Sequence, residues 1–392
     1  MKIALTCPAS LPATQFGGIL FLSIHIAKHL SNDGHNVTIY TSDLDFANNA
    51  STFNKKLQPL EKIDNYFIKR THVWFSSFLF FINPGMYKQM MSDDIDIIHA
   101  IGTRSFQAFI AALVSKRKNI PLVLSDQGGL TTHPDIKNSS LIKRILIKLQ
   151  TPLIKFIINQ SSKIIVANEY EKNIFLNFCN VSKIEIVRNG VDLNELASSN
   201  VDFYKKYNIS EKFILFLGRF HVVKGIDTLL ESINQIKNND LLEKIKIVIM
   251  GVDFGYQQIM KEKIKEFDLY ENILLIEKPP REYVLSAYRE CEFLILPSKW
   301  ELSPLTPLEG FAFRKTLVST TAHGIPYTIN HNENCILVEP DNPTQLSNAI
   351  LNLLKDKQKC SQLGNSGYDL VHSICNSEKM VNETFLVYKQ LV

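Results

Sequence analysis

Residues 213–225 read FILFLGRFHVVKG. The five apolar residues at the start predict a strand that is buried on both faces. Gly218 and a polar loop follow, and a helical pattern begins at about Asp227. A strand, a glycine-containing loop and a helix in this order form the start of a nucleotide-binding α/β domain. The stretch therefore predicts an α/β fold.

The N-terminus shows the same order of elements. A predicted strand at Lys2–Thr6 leads to Gly17 and Gly18, then to a helix, and then to a strand at Val37–Tyr40. Short apolar runs alternate with helical stretches along most of the chain, which predicts parallel sheets. The other predicted strands are Ile95–His99, Leu122–Ser125, Ile164–Val166, Ile184–Val187, Phe213–Leu217, Ile245–Met250, Ile273–Ile276, Phe293–Leu296, Leu317–Ser319 and Ile336–Val338. We expect two similar α/β domains in tandem, with a linker at NELASSN, residues 194–200.

The composition excludes several classes of protein. Apolar residues make up 45% of the chain and charged residues 21%, as in a globular protein. The net charge is only +4, which argues against a general nucleic-acid-binding protein. Six scattered cysteines predict free thiols in a reducing compartment. The N-terminus lacks the apolar run of a signal peptide, so we expect a cytoplasmic protein, with peripheral contact at the inner face of a membrane as an open alternative.

Two predicted strand-to-helix loops suit an anionic ligand. Gly17 and Gly18 allow close approach of the backbone, and free amides at a helix start favour an anion. A tight turn of small residues is the alternative there. In the second loop, Arg219 and Lys224 can converge beside a helix start, which suits a diphosphate. A solvated loop with two surface cations is the alternative, but the position at the carboxyl end of a strand favours the ligand.

A third segment, residues 297–309, places two carboxylates eight positions apart. Pro304 and Pro307 mark a helix start and leave backbone amides free. Glu309 in that helix can accept hydrogen bonds from a ribose diol, and Glu301 can face the hydroxyls of a sugar. The spacing alone equally allows two helix-capping carboxylates without a ligand.

Taken together, the motifs resemble those of the family 4 (group 1) glycosyltransferases of the GT-B fold. The resemblance covers nearly the whole chain and depends on the order of the motifs rather than on any single one. The motifs are FGG (16–18), DIIHA (96–100), VANEYEKN (166–173), RNGVD (188–192), FLGRFHVVKGIDTLLESI (216–233), IVIMGVDFGY (247–256), LPSKWELSPLTPLEGFA (296–312) and HNENCILVEPDNPTQLSNAI (331–350).

The resemblance implies two Rossmann-like parallel-sheet domains that face each other across a cleft. Residues 1–195, with a last helix at about 377–392, would form the N-terminal acceptor-binding domain. Residues 196–376 would form the C-terminal domain that binds a nucleotide-sugar donor. Such enzymes retain the anomeric configuration and usually need no metal, so the resemblance implies no cofactor.

The resemblance also implies a role for each matching residue. Arg219 and Lys224 would hold the donor diphosphate, and Glu301 would contact the transferred sugar. The remaining donor-binding residues would be Glu309 at the ribose, Leu305 and Thr306 through their amides, and Gly17 and Gly18 from the other side of the donor.

The acceptor side departs from the family pattern. Many relatives carry a histidine after the strand Leu122–Ser125, where this chain has Gln127, and an amide cannot act as a base. The candidates for contact with the acceptor or the sugar are His99, Gln127 and His133, although a surface loop role is the alternative for His133. Tyr327 stands where relatives often have a glutamate.

Three further patterns bear on membrane contact, on the acceptor and on metal binding. Leu141–Ile158 contains four basic residues among many Leu and Ile, which fits either a basic amphipathic helix on an anionic bilayer or a core helix whose lysines extend to solvent. The aromatic run Val73–Phe81 would suit a hydrophobic wall for the acceptor. The triplets at 43–45 and 94–96 have the Asp-x-Asp spacing of metal-dependent transferases, but both adjoin predicted strands, and we predict no metal site.

The resemblance therefore implies a retaining, metal-independent hexosyltransferase. It would move a sugar from a nucleoside diphosphate sugar to a glycan or lipid-linked glycan, in surface polysaccharide or glycoconjugate synthesis. A nucleotide-sugar epimerase of the same architecture is one alternative, although the loop with Arg219 and Lys224 argues against it. A non-catalytic nucleotide-sugar-binding or partner subunit is the other, supported by Gln127 and Tyr327.

Overall fold

The computed structural model describes residues 1–45, 52–77, 80–127, 130, 133–134, 148, 150–197 and 201–392. They form two units, Met1–Asn189 together with Ser377–Val392, and Gly190–Asn376. The boundary between the two units, at Asn189 and Gly190, lies just before the NELASSN stretch. Val191 already belongs to the second unit because its backbone amide donates a hydrogen bond to the carbonyl of Cys375.

The first unit contains an eight-stranded sheet and a separate hairpin. Its strands are β1 (Lys2–Thr6), β2 (Asn36–Ser42), β3 (Leu60–Ile63), β4 (Tyr66–Thr71), β5 (Phe75–Ser77), β6 (Phe80–Ile82), β7 (Ile97–Ile101), β8 (Leu122–Ser125), β9 (Lys163–Val166) and β10 (Ile184–Ile186). The sheet order is β10-β9-β8-β7-β1-β2-β4-β3, with only β3 antiparallel to its neighbour, and β5 and β6 form the hairpin. Its first helices are α1 (Gly18–Asn32), α2 (Gly85–Ser92), α3 (Phe106–Lys118), α4 (Thr151–Gln160) and α5 (Glu169–Phe175).

The second unit contains a six-stranded, fully parallel sheet. Its strands are β11 (Lys212–Leu217), β12 (Ile245–Gly251), β13 (Ile273–Glu277), β14 (Leu294–Leu296), β15 (Leu317–Thr320) and β16 (Ile336–Val338), in the order β13-β12-β11-β14-β15-β16. Its helices are α6 (Leu193–Leu196), α7 (Phe203–Tyr207), α8 (Ile226–Ile236), α9 (Gln257–Glu266), α10 (Arg281–Glu290), α11 (Leu305–Ala312), α12 (Pro343–Lys355) and α13 (Lys357–Ser373). The last helix of the chain, α14 (Ser377–Lys389), packs against α1 and so returns to the first unit.

The predicted α/β class with parallel sheets is confirmed. All twelve predicted strands are present within about two residues of their predicted bounds, and four strands, β3 to β6, were not predicted. The strand β4 was missed because its buried and half-buried residues alternate, so it lacks the continuous apolar run of a strand covered on both faces. All six cysteines lie among the described residues and are free thiols, as expected.

The order of the strands reverses direction at one place in each sheet. In the first unit this place lies between β1 and β7, and in the second unit between β11 and β14. The loops that follow two such strands diverge, which opens a crevice at the carboxyl edge of the sheet where α/β proteins bind ligands. In the second unit these loops are residues 218–225 and 297–304, the two segments singled out in the sequence.

Gly225 brings these two loops together. It has a φ of +65°, and a Cβ atom at this position would lie 1.9 Å from the carbonyl oxygen of Pro297. The left-handed backbone and the absence of a side chain therefore both require glycine.

We predict that Gly225→Ala separates the two loops. It should lower the free energy of unfolding more than Gly255→Ala does. Gly255 also has a positive φ, but among the residues that the structure describes none comes within 4 Å of a Cβ atom there. Gly255→Ala should therefore cost only the left-handed backbone penalty of about 1 kcal/mol. Gly225→Ala should cost on the order of 2 kcal/mol more, because of the steric clash. Urea unfolding measures the free energy of unfolding of both variants. Equal losses in the two variants would contradict the close approach of the two loops.

Candidate active site

The structure brings Lys224 and Glu301 into direct contact. Lys224 ends a short 3-10 turn, Val222–Lys224, after β11, and Glu301 lies in the loop after β14. The Lys224 ammonium donates a hydrogen bond to Glu301 Oε1, and the Ser298 hydroxyl donates to the same oxygen at 3.1 Å. Both side chains are largely buried, so a cation and a carboxylate are held side by side at the crevice of the second unit.

Arg219 lies in the same loop as Lys224 and makes a cation–π contact with an aromatic ring. Its guanidinium carbon is 5.1 Å from the ring centre of Phe254, which follows β12. Backbone hydrogen bonds from Phe220 to Val252 and from Phe254 to Phe220 join the two loops. A cation–π contact favours this position of the guanidinium, and its N–H groups can still donate hydrogen bonds to a ligand.

Helix α10 holds the carboxylate of Glu309 by both oxygens. Arg281 Nη2 donates to Oε1 at 2.6 Å, and the Tyr288 hydroxyl donates to Oε2 at 2.6 Å. Arg281 Nε also donates to Glu195 at 2.9 Å. Burial alone would lower the pKa of Arg281, but Glu309 and Glu195 outweigh it and raise the pKa. Burial, and then the charge of Glu309, raise the pKa of Tyr288.

Two of these contacts could not be read from the sequence. Arg281 and Tyr288 are seven positions apart, which places them on one face of a helix, but no motif names the residue that this face meets. Each carboxylate oxygen of Glu309 has a further lone pair, so the fixed carboxylate can still accept hydrogen bonds from the hydroxyls of a ligand.

Leu305 and Thr306 are the first two residues of α11. The N-cap is Pro304, whose side chain makes no capping hydrogen bond. The amides of the first turn therefore lack the side-chain acceptor that an N-cap residue often supplies, which favours an anion at this end of the helix.

In the first unit, the loop after β1 leads to Gly17 and Gly18. Gly17 has a φ of +91°, and no atom of the described residues lies within 4 Å of a Cβ atom there, so glycine is required by its conformation rather than by space. Gly18 begins α1.

His99 lies inside the first unit. Its Nδ1 is 2.6 Å from the Tyr388 hydroxyl and its Nε2 is 2.8 Å from the Ser125 hydroxyl. Burial lowers the pKa of His99 to about 3, so the ring is neutral. Because both ring nitrogens are bonded to buried protein groups, His99 joins α14 to the sheet.

Gln127 lies at the carboxyl end of β8 and forms a reciprocal pair with Asn189. Gln127 Nε2 donates to Asn189 Oδ1 at 2.8 Å, and Asn189 Nδ2 donates back to Gln127 Oε1 at 3.1 Å. His133 is partly buried, with residues outside the described part of the chain on either side. Tyr327 is exposed in the short turn Ile325–Tyr327 of the second unit.

Each of the two Asp-x-Asp triplets has an aspartate that contacts a basic side chain. Asp43 bonds His72 at 2.6 Å, and Asp94 pairs with Lys2. Most of Leu141–Ile158 before Gln150 lies outside the described residues; the described helix α4 packs its apolar face against α3. In the part of the chain that the structure describes, no helix has both the length and the apolar character to span a bilayer.

Comparison with protein families identifies the chain. Residues 202–370 match the model described as glycosyl transferases group 1, and residues 16–195 match the model described as glycosyltransferase family 4. The chain belongs to the family 4, group 1 glycosyltransferases. The two matches meet near the boundary between the two units and together cover most of this glycosyltransferase.

Similar proteins agree with this assignment. An uncharacterized glycosyltransferase of Methanocaldococcus jannaschii is 28% identical over 76% of this chain and 77% of its own length. Sucrose-phosphate synthase from Thermosynechococcus elongatus has a similar structure, with a TM-score of 0.78 at 17% identity over 100% of this chain and 99% of its own. Anabaena HepE in complex with UDP-glucose gives 0.75 at 16% identity over 100% of both chains. The predicted GT-B fold is thereby confirmed.

A pair of buried carboxyl groups adjoins Gln127 in the first unit. Asp126 accepts a hydrogen bond from the Leu130 amide at 2.8 Å, and Glu171 accepts one from the Ala167 amide at 2.6 Å. Burial raises the pKa of both groups, and the charge of Asp126 raises that of Glu171 further. Folding therefore favours the protonated form of Glu171.

We predict that Glu171→Gln changes how stability depends on pH. Folded Glu171 keeps its proton above pH 4.5, the ordinary pKa at which an unfolded glutamate loses it. The folded state then binds more protons, so this group lowers the free energy of unfolding as the pH rises. The stability of Glu171→Gln relative to the wild type should therefore increase from about pH 5 to pH 8 in urea unfolding. Glu169→Gln, an exposed change on the same helix, is the control, and a pH-independent difference for Glu171→Gln would contradict the assignment.

Proposed function

We propose that this glycosyltransferase is a retaining, metal-independent hexosyltransferase that uses a nucleoside diphosphate sugar. The observation that carries the proposal is the contact between Lys224 and Glu301 at the strand-order reversal of the second unit. A donor of this class presents a diphosphate next to a sugar, and this contact places a cation next to a carboxylate. The complex of HepE with UDP-glucose, a protein of the same fold, supports the proposed class of donor.

In the proposed reaction the bond between the anomeric carbon and the diphosphate oxygen breaks. Positive charge develops on the sugar, by analogy with glycoside cleavage, and negative charge on the leaving diphosphate. Lys224 and Arg219 stabilise the leaving group, and the amides of Leu305 and Thr306 add donors at the start of α11. Glu301 accepts hydrogen bonds from the sugar hydroxyls.

The acceptor hydroxyl attacks the anomeric carbon from the face that the diphosphate leaves. A diphosphate oxygen takes the hydroxyl proton, so the new glycosidic bond has the configuration of the old one and no protein base is required. This route is compatible with Gln127 at the position where relatives often carry histidine. We propose a glycan or lipid-linked glycan as the acceptor, bound by the first unit, with peripheral membrane contact through residues 141–158 and a role in surface polysaccharide or glycoconjugate synthesis.

A screen of nucleotide sugars tests the class of donor. UDP-, GDP- and ADP-glucose are added separately, and the melting temperature is recorded. A ligand at a hundred times its dissociation constant raises the free energy of unfolding by about 2.7 kcal/mol. Stabilisation by one nucleotide sugar, followed by transfer that requires an acceptor, supports a transferase. Sugar isomerisation without an acceptor would indicate an epimerase, and binding without turnover would indicate a non-catalytic subunit.

We predict that Lys224→Ala lowers kcat about a hundredfold or more, as the loss of an oxyanion donor does in other enzymes. The matched control is Lys212→Ala, which removes an exposed ion pair with Glu292 at the opposite end of β11. The control should keep wild-type kcat at saturating donor. A kcat for Lys224→Ala within a few-fold of the wild type would remove Lys224 from the mechanism.

We further predict that Arg281→Ala weakens recognition of the ribose, because Glu309 loses the donor on Oε1. The nucleotide found in the screen and its 2′-deoxy form are compared by titration calorimetry. Wild-type protein should bind the ribonucleotide more tightly, by about tenfold for one charge-assisted hydrogen bond. Arg281→Ala should reduce that ratio, whereas Arg289→Ala, on the same helix, should keep it. An unchanged ratio in Arg281→Ala would contradict the role of Glu309.

A further inference from the structure

Lys299 joins the two loops of the candidate site through its backbone. It lies in the loop after β14, two positions before Glu301. Its amide donates a hydrogen bond to the carbonyl of Val223 at 2.8 Å. Val223 is the middle residue of the turn Val222–Lys224, so this bond holds the residue next to Lys224.

The side chain of Lys299 holds the same segment at a second point. Its ammonium donates a hydrogen bond to Asp227 at 2.8 Å and lies 2.5 Å from a carboxylate oxygen of Asp341. Asp227 is the second residue of α8, which begins directly after Gly225. The chain from Val223 to Asp227 is therefore held at both ends by Lys299.

The ion pair between Lys299 and Asp227 is partly shielded from water. The two side chains are 23% and 22% exposed. Burial alone would lower the pKa of Lys299, but the hydrogen bonds to Asp227 and Asp341 outweigh it and raise the pKa. Asp227 also lies in the first turn of α8, where a negative charge is favourable. Both groups therefore stay charged at neutral pH and hold each other in place.

We propose that Lys299 is a positioning residue, which holds residues 223–227 so that the ammonium of Lys224 meets the diphosphate of the donor. The proposal rests on the proposed function, in which Lys224 stabilises the leaving group. Stabilisation of a developing charge requires a donor that is already in place, and a displacement of about 1 Å can lower a rate about a hundredfold. Lys299 acts through Lys224 in this arrangement, since its own ammonium is bonded to two carboxylates.

Lys263 offers a matched comparison on the same helix. Its ammonium pairs with Glu231 of α8 at 2.7 Å, and its side chain is 26% exposed, close to the value for Lys299. Glu231 lies four positions after Asp227, about one turn further from the loop that contains Lys224. Removal of either lysine costs α8 one ion pair, but of the two only Lys299 also contacts that loop.

The test compares Lys299→Met with Lys263→Met and Lys299→Arg. Methionine is similar in length and removes the charge. The nucleotide sugar selected by the screen, UDP-, GDP- or ADP-glucose, is supplied at saturation without an acceptor. Water then takes the place of the acceptor, and glucose and the nucleoside diphosphate are released.

Lys299→Met should lower kcat about tenfold, less than a full displacement costs, because the backbone bond to Val223 remains. Lys263→Met should keep a kcat close to that of the wild type. Lys299→Arg should keep most of the activity, because a guanidinium can also bond both carboxylates. A wild-type kcat in Lys299→Met would overturn the proposal.

The double variant Lys224→Ala/Lys299→Met distinguishes positioning from a general structural role. If Lys299 acts through Lys224, its replacement should lower kcat no further once the Lys224 ammonium is absent. An equal loss in both backgrounds would overturn the proposal, because Lys299 would then act independently of Lys224.

Asp227→Asn is the second variant, and it removes the carboxylate that Lys299 holds on α8. It should show the same loss of kcat and the same dependence on Lys224. Urea unfolding establishes that each variant is folded under the conditions of the assay. If Lys299→Met does not fold, Asp227→Asn decides the outcome by the same criteria.

The pattern of results separates this proposal from the proposed function. If Lys224→Ala hydrolyses the donor as the wild type does, the proposed role of Lys224 falls, and the positioning role of Lys299 falls with it. If Lys224→Ala loses activity and the loss from Lys299→Met is absent or independent of Lys224, the proposed function stands. Only the positioning role is then overturned, and Lys299 is a structural residue.

Discussion

The close approach of two loops in the second unit is the constraint on which the candidate site depends. The backbone at Gly225 lies so near the carbonyl of Pro297 that no Cβ atom fits between them. This contact brings the loop after β11 against the loop after β14, and with it Lys224 against Glu301. The two charges are far apart in sequence, and each is held before a ligand arrives. Preorganised charge of this kind costs no reorganisation at the moment of reaction.

A second layer of contacts fixes the carboxylates and cations that would touch a donor. Helix α10 holds both oxygens of Glu309, Ser298 bonds Glu301, and Phe254 supports Arg219. Such supporting groups define the position of a functional side chain to a fraction of an ångström. In the first unit the buried contact of His99 with Tyr388 has a different role, since it holds the last helix of the chain to the sheet.

The sequence predicted the parallel architecture well because buried parallel strands are continuous apolar runs. It missed β4, whose alternating pattern reflects a partly covered face, and the edge strand β3 beside it. It also offered His99 for ligand contact, since a histidine near a strand end looks the same whether it faces a crevice or the interior. In the structure, His99 contacts Tyr388, which is nearly three hundred residues away along the chain.

The sequence by itself determined the α/β class, the two tandem domains with parallel sheets and the segments that carry the charged residues, because strand and loop patterns are local. Only the tertiary structure decided which of these residues meet. The pairing of Lys224 with Glu301 and the hydrogen bonds from α10 to Glu309 join segments that are distant along the chain, and strand order brings these segments together. Strand order is set by the packing of distant segments, which no local pattern records.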